Sequence, residues 1–95
     1  MKFEWDQNKN EQNILKHQID FEDAKLIFSD SNRIIYQDLR NDYCEEGFVS
    51  IGLMNDTVIV VVYTIRKEAI RLISARYAKK SERNNYFKGE NNEHK

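Results

Sequence analysis

The sequence predicts an α+β domain: two N-terminal helices, an antiparallel sheet of about four strands, and a C-terminal helix. Three observations carry this. Helical spacing of apolar residues is confined to residues 10–28 and 79–87. Between them lie strand-like runs at 46–53, 57–65 and 69–75, after a weaker one at 33–39. Two-residue turn signals, Asn55-Asp56 and Lys67-Glu68, join the last three runs, so those strands pair as antiparallel hairpins.

The elements follow in order. Lys2 to Trp5 alternates, and Phe3 and Trp5 suit a strand, with Trp5 in the core. Asp6 is placed to N-cap a helix, because its carboxylate accepts from the free N–H groups of the next turn. Asn10 to Gln18 reads as a short helix with a narrow apolar stripe, Ile14 and Leu15. Asp20 is a second N-cap, with Asp23 at the position where a capping box carries Glu. Phe21, Ala24, Leu26, Ile27 and Phe28 then make a helix with one rich face, and Ser29 to Asn32 is a loop by composition. In the run 46–53, Val49, Ile51 and Leu53 oppose Phe48, Ser50 and Gly52. Thr57 to Ile65 is apolar on both sides, as a doubly covered central strand should be. In Ala69 to Ala75, Ile70, Leu72 and Ser74 oppose Arg71, Ile73 and Ala75. Residues 79–87 form a charged helix with the apolar edge Tyr86 and Phe87. The domain is expected over 1–87, with 88–95 a disordered polar tail. With helices on one sheet face, the other face is expected to be partly open and to be the working surface.

Composition narrows the function. The chain has 95 residues, 40% hydrophobic and 33% charged: enough for one small domain, too apolar for disorder and too polar for a membrane protein. No apolar segment approaches the roughly 20 residues that span a bilayer, and the N-terminus lacks the apolar core of a secretory signal. Cys44 is the only cysteine, so a disulfide within the chain and a Cys-based zinc site are both excluded, and a reducing cytoplasm is the expected compartment. The net charge of −1 hides an asymmetry. Asp20 to Glu46 carries eight acids and three bases, whereas Thr64 to Arg83 carries seven bases and two acids. A basic C-terminal half can attract a polyanion such as RNA; equally, the two halves can neutralise each other within the fold.

No phosphate-cradling glycine loop, Walker signature or dinucleotide fingerprint is present. His17 and His94 are too few and too far apart for a metal site, and no cofactor is implied. His17 has the neutral-range chemistry of a general acid or base, but a histidine at a helix C-terminus also serves the helix dipole. Glu45 and Glu46 open a strand and are either a base or solvated charges. Arg66 and Arg76 lie near the ends of neighbouring strands, where they either converge on one polyanion or make surface ion pairs. Tyr63 either stacks on a base or is buried, and Ser74 has no neighbouring base to make it a nucleophile. One reaction suits these residue types without metal or cofactor. An RNA 2′-hydroxyl attacks its adjacent phosphate while Glu or His moves protons and arginines hold the charged oxygens.

The order of short segments is more telling. Phe3-Glu4-Trp5-Asp6, Lys9, Asn13, Lys16-His17, Phe21-Glu22-Asp23-Ala24 with Phe28 and Asp30, Ile51-Gly52, Val61-Val62-Tyr63-Thr64 with Arg66, then Arg71-Leu72-Ile73-Ser74-Ala75-Arg76 with Ala78, Glu82-Arg83 and Tyr86 run through nearly the whole expected fold. With them the chain resembles the BrnT family, bacterial toxins of type II toxin–antitoxin modules. The resemblance implies a RelE-like fold and a ribonuclease that arrests translation. It also implies a small DNA-binding, BrnA-like antitoxin through which the complex represses its own promoter, in a heterotetramer of two toxins and two antitoxins. By matching position it implies an active surface of His17, the Glu45-Glu46 pair, Arg66 and Arg76, with Arg76 foremost. Lys16, Arg71, Lys79, Lys80 and Arg83 would contact the RNA backbone.

Two departures matter. Gln18 stands where the family usually has Gly after Lys-His, and Gly47 stands where it commonly has Arg after the paired acids. A left-handed residue after a helix favours Gly, so Gln18 costs up to about 1 kcal/mol there. If the missing Arg holds phosphate, this chain is a weak or inactive nuclease that works as antitoxin-binding partner and co-repressor. If it pairs with the antitoxin or Glu46, the chemistry survives. A sequence-specific DNA-binding domain fits least, because no recognition helix is visible and the basic residues fall on strands and a terminal helix.

Overall fold

A computed structural model describes residues 2–38 and 46–92. The chain runs β1 (Lys2–Glu4), α1 (Gln7–His17), α2 (Phe21–Ala24) with a 3-10 helix (Lys25–Ser29), β2 (Ile34–Asp38), β3 (Gly47–Met54), β4 (Thr57–Arg66), β5 (Ala69–Tyr77) and α3 (Lys80–Asn92). Among the described residues the sheet has five strands in the order β1-β5-β4-β3-β2. It is mixed, which corrects the expected four-stranded antiparallel sheet. The additional pair is parallel, β1 with β5. A parallel pair needs a long crossover, and everything from α1 to β4 supplies it. The final helix runs to Asn92, so residues 88–92, read from composition as tail, continue it.

Both expected aspartate caps are present. Asp6 accepts from the Asn8 and Lys9 N–H groups, and Asp20 from that of Glu22. Gln18 ends α1 with φ 59°, the left-handed geometry that glycine would adopt without strain. The expected apolar stripe of α1 is wrong, however. Leu15 is 81% and Ile14 38% exposed, while Asn10 and Asn13 are buried. The reason lies in β5. β1 covers its edge only at Ala69 to Arg71, so backbone groups further along need other partners. The Asn13 side chain takes them: Nδ2 donates to the Ala75 carbonyl at 2.9 Å, and Oδ1 accepts from the Ala75 N–H at 3.0 Å. Asn13 Nδ2 also donates to the Ile19 carbonyl, and Asn10 Oδ1 accepts from the Phe21 N–H. The polar face of α1 therefore extends the sheet, and the apolar face is outside.

β4 is buried on both sides, as its sequence predicts. On one side Ile59, Val61 and Tyr63 join Ile70, Leu72 and Ala75 of β5 and Ile19, Phe21, Ala24 and Ile27 of the helical segment. Tyr63 is in this core with its hydroxyl 2.7 Å from Ser50 Oγ, so it offers no ring for base stacking. Trp5 packs against the same core, edge-on to Phe21. The 3-10 helix lies so close to β3 that a Cβ on Gly52 would meet the Ile27 and Arg33 Cβ atoms at 3.1 Å. On the other side Val49, Ile51, Val58 and Val60 pack with Ala78 and Tyr86. The helices are thus not confined to one face: α3 covers part of the second. Its anchor is polar as well as apolar, because the buried Tyr86 donates to Asp30 Oδ2 at 2.6 Å. Asp30 also accepts from the Leu53 and Asn32 N–H groups. Burial opposes ionisation of Asp30, but the bonds from Tyr86, Asn32 and Leu53 and the charge of Arg33 outweigh it and lower its pKa.

Candidate functional site

A register shift decides which β5 residues share a face. Tyr63 pairs with Leu72 but Val62 pairs with Ser74, so Ile73 is an extra residue in the strand. Strict alternation would put Arg76 with Ile70 and Leu72 on the core face. The bulge turns it over. Arg76 now opposes Val60, Ser74 opposes Val62 and Arg71 opposes Thr64, all on the side that α3 only partly covers. Arg66 opposes Ala69 and, by the same alternation, joins that face.

The candidates do not form one cluster: Arg76, Arg66 and His17 line three different clefts. Arg76 lines a cleft of about 520 Å³ with Tyr36, Gln37, Asp38, Val49, Lys79 and Glu82. Arg66 lines another, of about 780 Å³, with Lys2, Glu4, Lys67, Glu68 and Ala69. The stretch of β4 from Val60 to Arg66 puts about 20 Å between the two arginines, so they do not grip one phosphate. The neighbours that can converge are Arg66 and Arg71, set diagonally across β4 and β5 about 7–8 Å apart. Arg71 is ion-paired with Glu4 at 3.0 Å. His17 is half-buried at the end of α1, in a narrow cleft of about 170 Å³ with Lys9, Gln12, Asn13, Lys16, Ile73 and Ser74. Glu46 is exposed just before β3, and Glu45 lies outside the described residues. Lys79 and Lys80 are exposed at the start of α3. Arg83 turns back to donate to the Ala78 carbonyl at 2.8 Å.

Arg76 is the most constrained of these residues. Its Nη1 and Nη2 donate to Glu82 Oε1 and Oε2, both at 2.9 Å, and Nη1 also reaches the Tyr77 carbonyl at 3.3 Å. Glu82 accepts in addition from the Lys79 N–H at 2.7 Å, the backward half of a capping box at the start of α3. The hydrogen bonds from Arg76 dominate burial and hold the Glu82 carboxyl down to about 2. The same bonds raise the Arg76 pKa. Tyr36, at the mouth of this cleft and 43% exposed, has its pKa raised, first by partial burial and then by the Glu82 charge. Its hydroxyl therefore stays protonated at neutral pH.

The sequence reading missed Tyr36 and the role of Glu82. Tyr36 sits on the weakest strand-like run and carries no local signal. Glu82 had one, the spacing of an acid three residues into a helix after Lys79, but its partnership with Arg76 depends on the bulge. Among the described residues no three His, Cys, Asp or Glu side chains group to hold a metal ion, and no helix is long and apolar enough to cross a membrane.

A protein-family model described as a ribonuclease toxin, BrnT, of type II toxin-antitoxin systems matches residues 5–82. No curated protein matches the chain. The matched span opens at Trp5 and closes on Glu82, and so contains the bulged strand and the whole Arg76 cleft.

Proposed function

The chain belongs to the BrnT family of ribonuclease toxins of type II toxin–antitoxin systems, and from that premise we propose that it is itself an endoribonuclease that cuts RNA without a metal ion. The observation that carries the reading is the bulge that brings Arg76 out of the core and into a cleft beside Lys79 and Tyr36. A guanidinium held there suits a phosphate that gains negative charge in the transition state. In the proposed reaction the 2′-oxygen bonds to the adjacent phosphorus, the bond from phosphorus to the 5′-oxygen breaks, and the leaving oxygen takes a proton. The products carry a 2′,3′-cyclic phosphate and a 5′-hydroxyl. His17 and Glu46 are the proposed proton-transfer groups. Neither lines the Arg76 cleft, so the reading requires the bound strand to bring them to the same phosphate. Arg71, Lys79, Lys80, Arg83 and Lys16 are proposed to hold the RNA backbone, with Arg66 contacting the strand a few nucleotides from Arg76.

The proposed setting is a bacterial cytoplasm, in which cleavage arrests translation and a BrnA-like antitoxin silences the chain in a heterotetramer. Promoter DNA is bound only through the antitoxin. Induced expression without the antitoxin is expected to stop growth, and Arg76→Ala to relieve the arrest. Arrest undiminished in Arg76→Ala would remove Arg76 from the site.

A second reading has one observation in its favour. Gly47 opposes Thr64, which opposes Arg71, so an arginine at 47 would extend the cationic row across β3. The Thr64 hydroxyl in that row is buried with no hydrogen-bond partner among the described residues. On this reading the chain is a catalytically weak co-repressor. It predicts no arrest on expression but retained capture of the antitoxin.

A further inference from the structure

We infer that Glu82 is a positioning residue: it holds Arg76 by one edge of the guanidinium so that the other edge meets an RNA phosphate in the cleft. The inference rests on the reading of this face as one that binds RNA. A guanidinium has five N–H donors in a rigid fork. Glu82 takes the end-on pair, one hydrogen each from Nη1 and Nη2, and the Tyr77 carbonyl takes the second hydrogen of Nη1. Left over among the described residues are Nε–H and the outer hydrogen of Nη2. These lie side by side and form the side-on fork, which matches two phosphate oxygens.

Glu82 is itself fixed, since its Oε1 also accepts from the Lys79 N–H. The carboxylate therefore ties Arg76 to the first turn of α3, and Arg76 does not swing freely on its long side chain. A loose arginine would lose rotamer freedom on gripping a phosphate; this one has lost it already. Lys79 and the exposed Tyr36 ring line the same cleft, beside the place the phosphate would take.

Electrostatics alone makes the opposite prediction. Glu82 is an anion beside a proposed anion site, so removing its charge should tighten RNA binding. The sign of the effect therefore tests the inference. The assay is fluorescence anisotropy of a single-stranded 2′-O-methyl oligoribonucleotide, which cannot be cut, with the full chain at fixed salt. Glu82→Gln keeps an acceptor for the Lys79 N–H and raises the net charge by one. It is expected to weaken binding roughly tenfold, as Arg76→Ala does, and the double variant to be no weaker than Arg76→Ala. Arg76→Lys keeps the charge and the strand but removes the fork, and is expected to bind like Arg76→Ala. It serves also if Glu82→Gln does not fold.

Tighter or unchanged binding by Glu82→Gln, or wild-type binding by Arg76→Lys, would overturn the inference. Cleavage of the unmodified oligoribonucleotide is read in parallel. Binding in the expected order without cutting refutes the ribonuclease reading and leaves Glu82 in its role. Cutting with tighter binding by Glu82→Gln does the reverse. No binding by the folded wild type refutes both.

Discussion

Asn13→Ala should be among the most damaging single substitutions outside the apolar core. The Asn13 side chain makes three hydrogen bonds: to the Ala75 carbonyl, from the Ala75 N–H and to the Ile19 carbonyl. Truncation orphans three backbone groups next to a buried strand. Each buried group left unpaired costs about 1–3 kcal/mol, and an alanine admits some water, so the lower end applies. The loss is then about 3 kcal/mol, a large part of the roughly 5–15 kcal/mol that stabilises a typical domain. For a chain of this size about 1 kcal/mol moves the midpoint by about 4–8 °C, so Tm should fall by about 12–24 °C. Thermal unfolding followed by far-UV circular dichroism measures it. Leu15→Ala is the control: that side chain is 81% exposed and its loss should stay within about 0.5 kcal/mol. A Tm for Asn13→Ala within about 4 °C of wild type, or a larger loss for Leu15→Ala, would refute the account of which face of α1 meets the sheet.

Two further outcomes follow from local geometry. Gln18→Gly should raise stability by about 0.5–1 kcal/mol, because φ at this position is 59° and glycine adopts it without strain; a lower Tm would contradict this. Acid should loosen the junction between β5 and α3. The Glu82 carboxyl is depressed to about 2 in the fold, so its contribution is complete above about pH 4.5 and is lost as pH falls through 2. Tm measured across that window should drop less in Glu82→Gln than in wild type, and parallel profiles would sink the assignment.

What the sequence disclosed and what it hid divide by range. Asp6 and Asp20 cap helices through bonds to residues two or three along, and both were readable. The hairpin at Asn55-Asp56 and the apolar run of β4 were readable for the same reason. The parallel pairing of β1, the turn of Asn13 towards Ala75 and the descent of Tyr86 onto Asp30 join residues far apart in the chain, and no local pattern announces them. The α1 face misled because Leu15 is the residue one expects inside. An uncovered strand edge wanted an amide instead. The candidate site was half legible. Arg76 stood out by its place among family-like segments, whereas the face it occupies depends on the bulge at Ile73, which only the pairing of β4 with β5 reveals. Of the two alternatives open for Arg66 and Arg76, convergence on one polyanion is the one the pairing disfavours, since it places Arg66 at the far end of the hairpin from Arg76.

The central claim is that this chain cuts RNA by attack of the 2′-hydroxyl. The direct test is purified wild-type protein, EDTA, and a single-stranded RNA of defined sequence, followed by analysis of the product ends. The account predicts a 2′,3′-cyclic phosphate on one product and a 5′-hydroxyl on the other, with cutting abolished where a single 2′-deoxy nucleotide precedes the scissile phosphate. Folded protein that leaves the RNA intact, or that cuts the 2′-deoxy position as well, would contradict it.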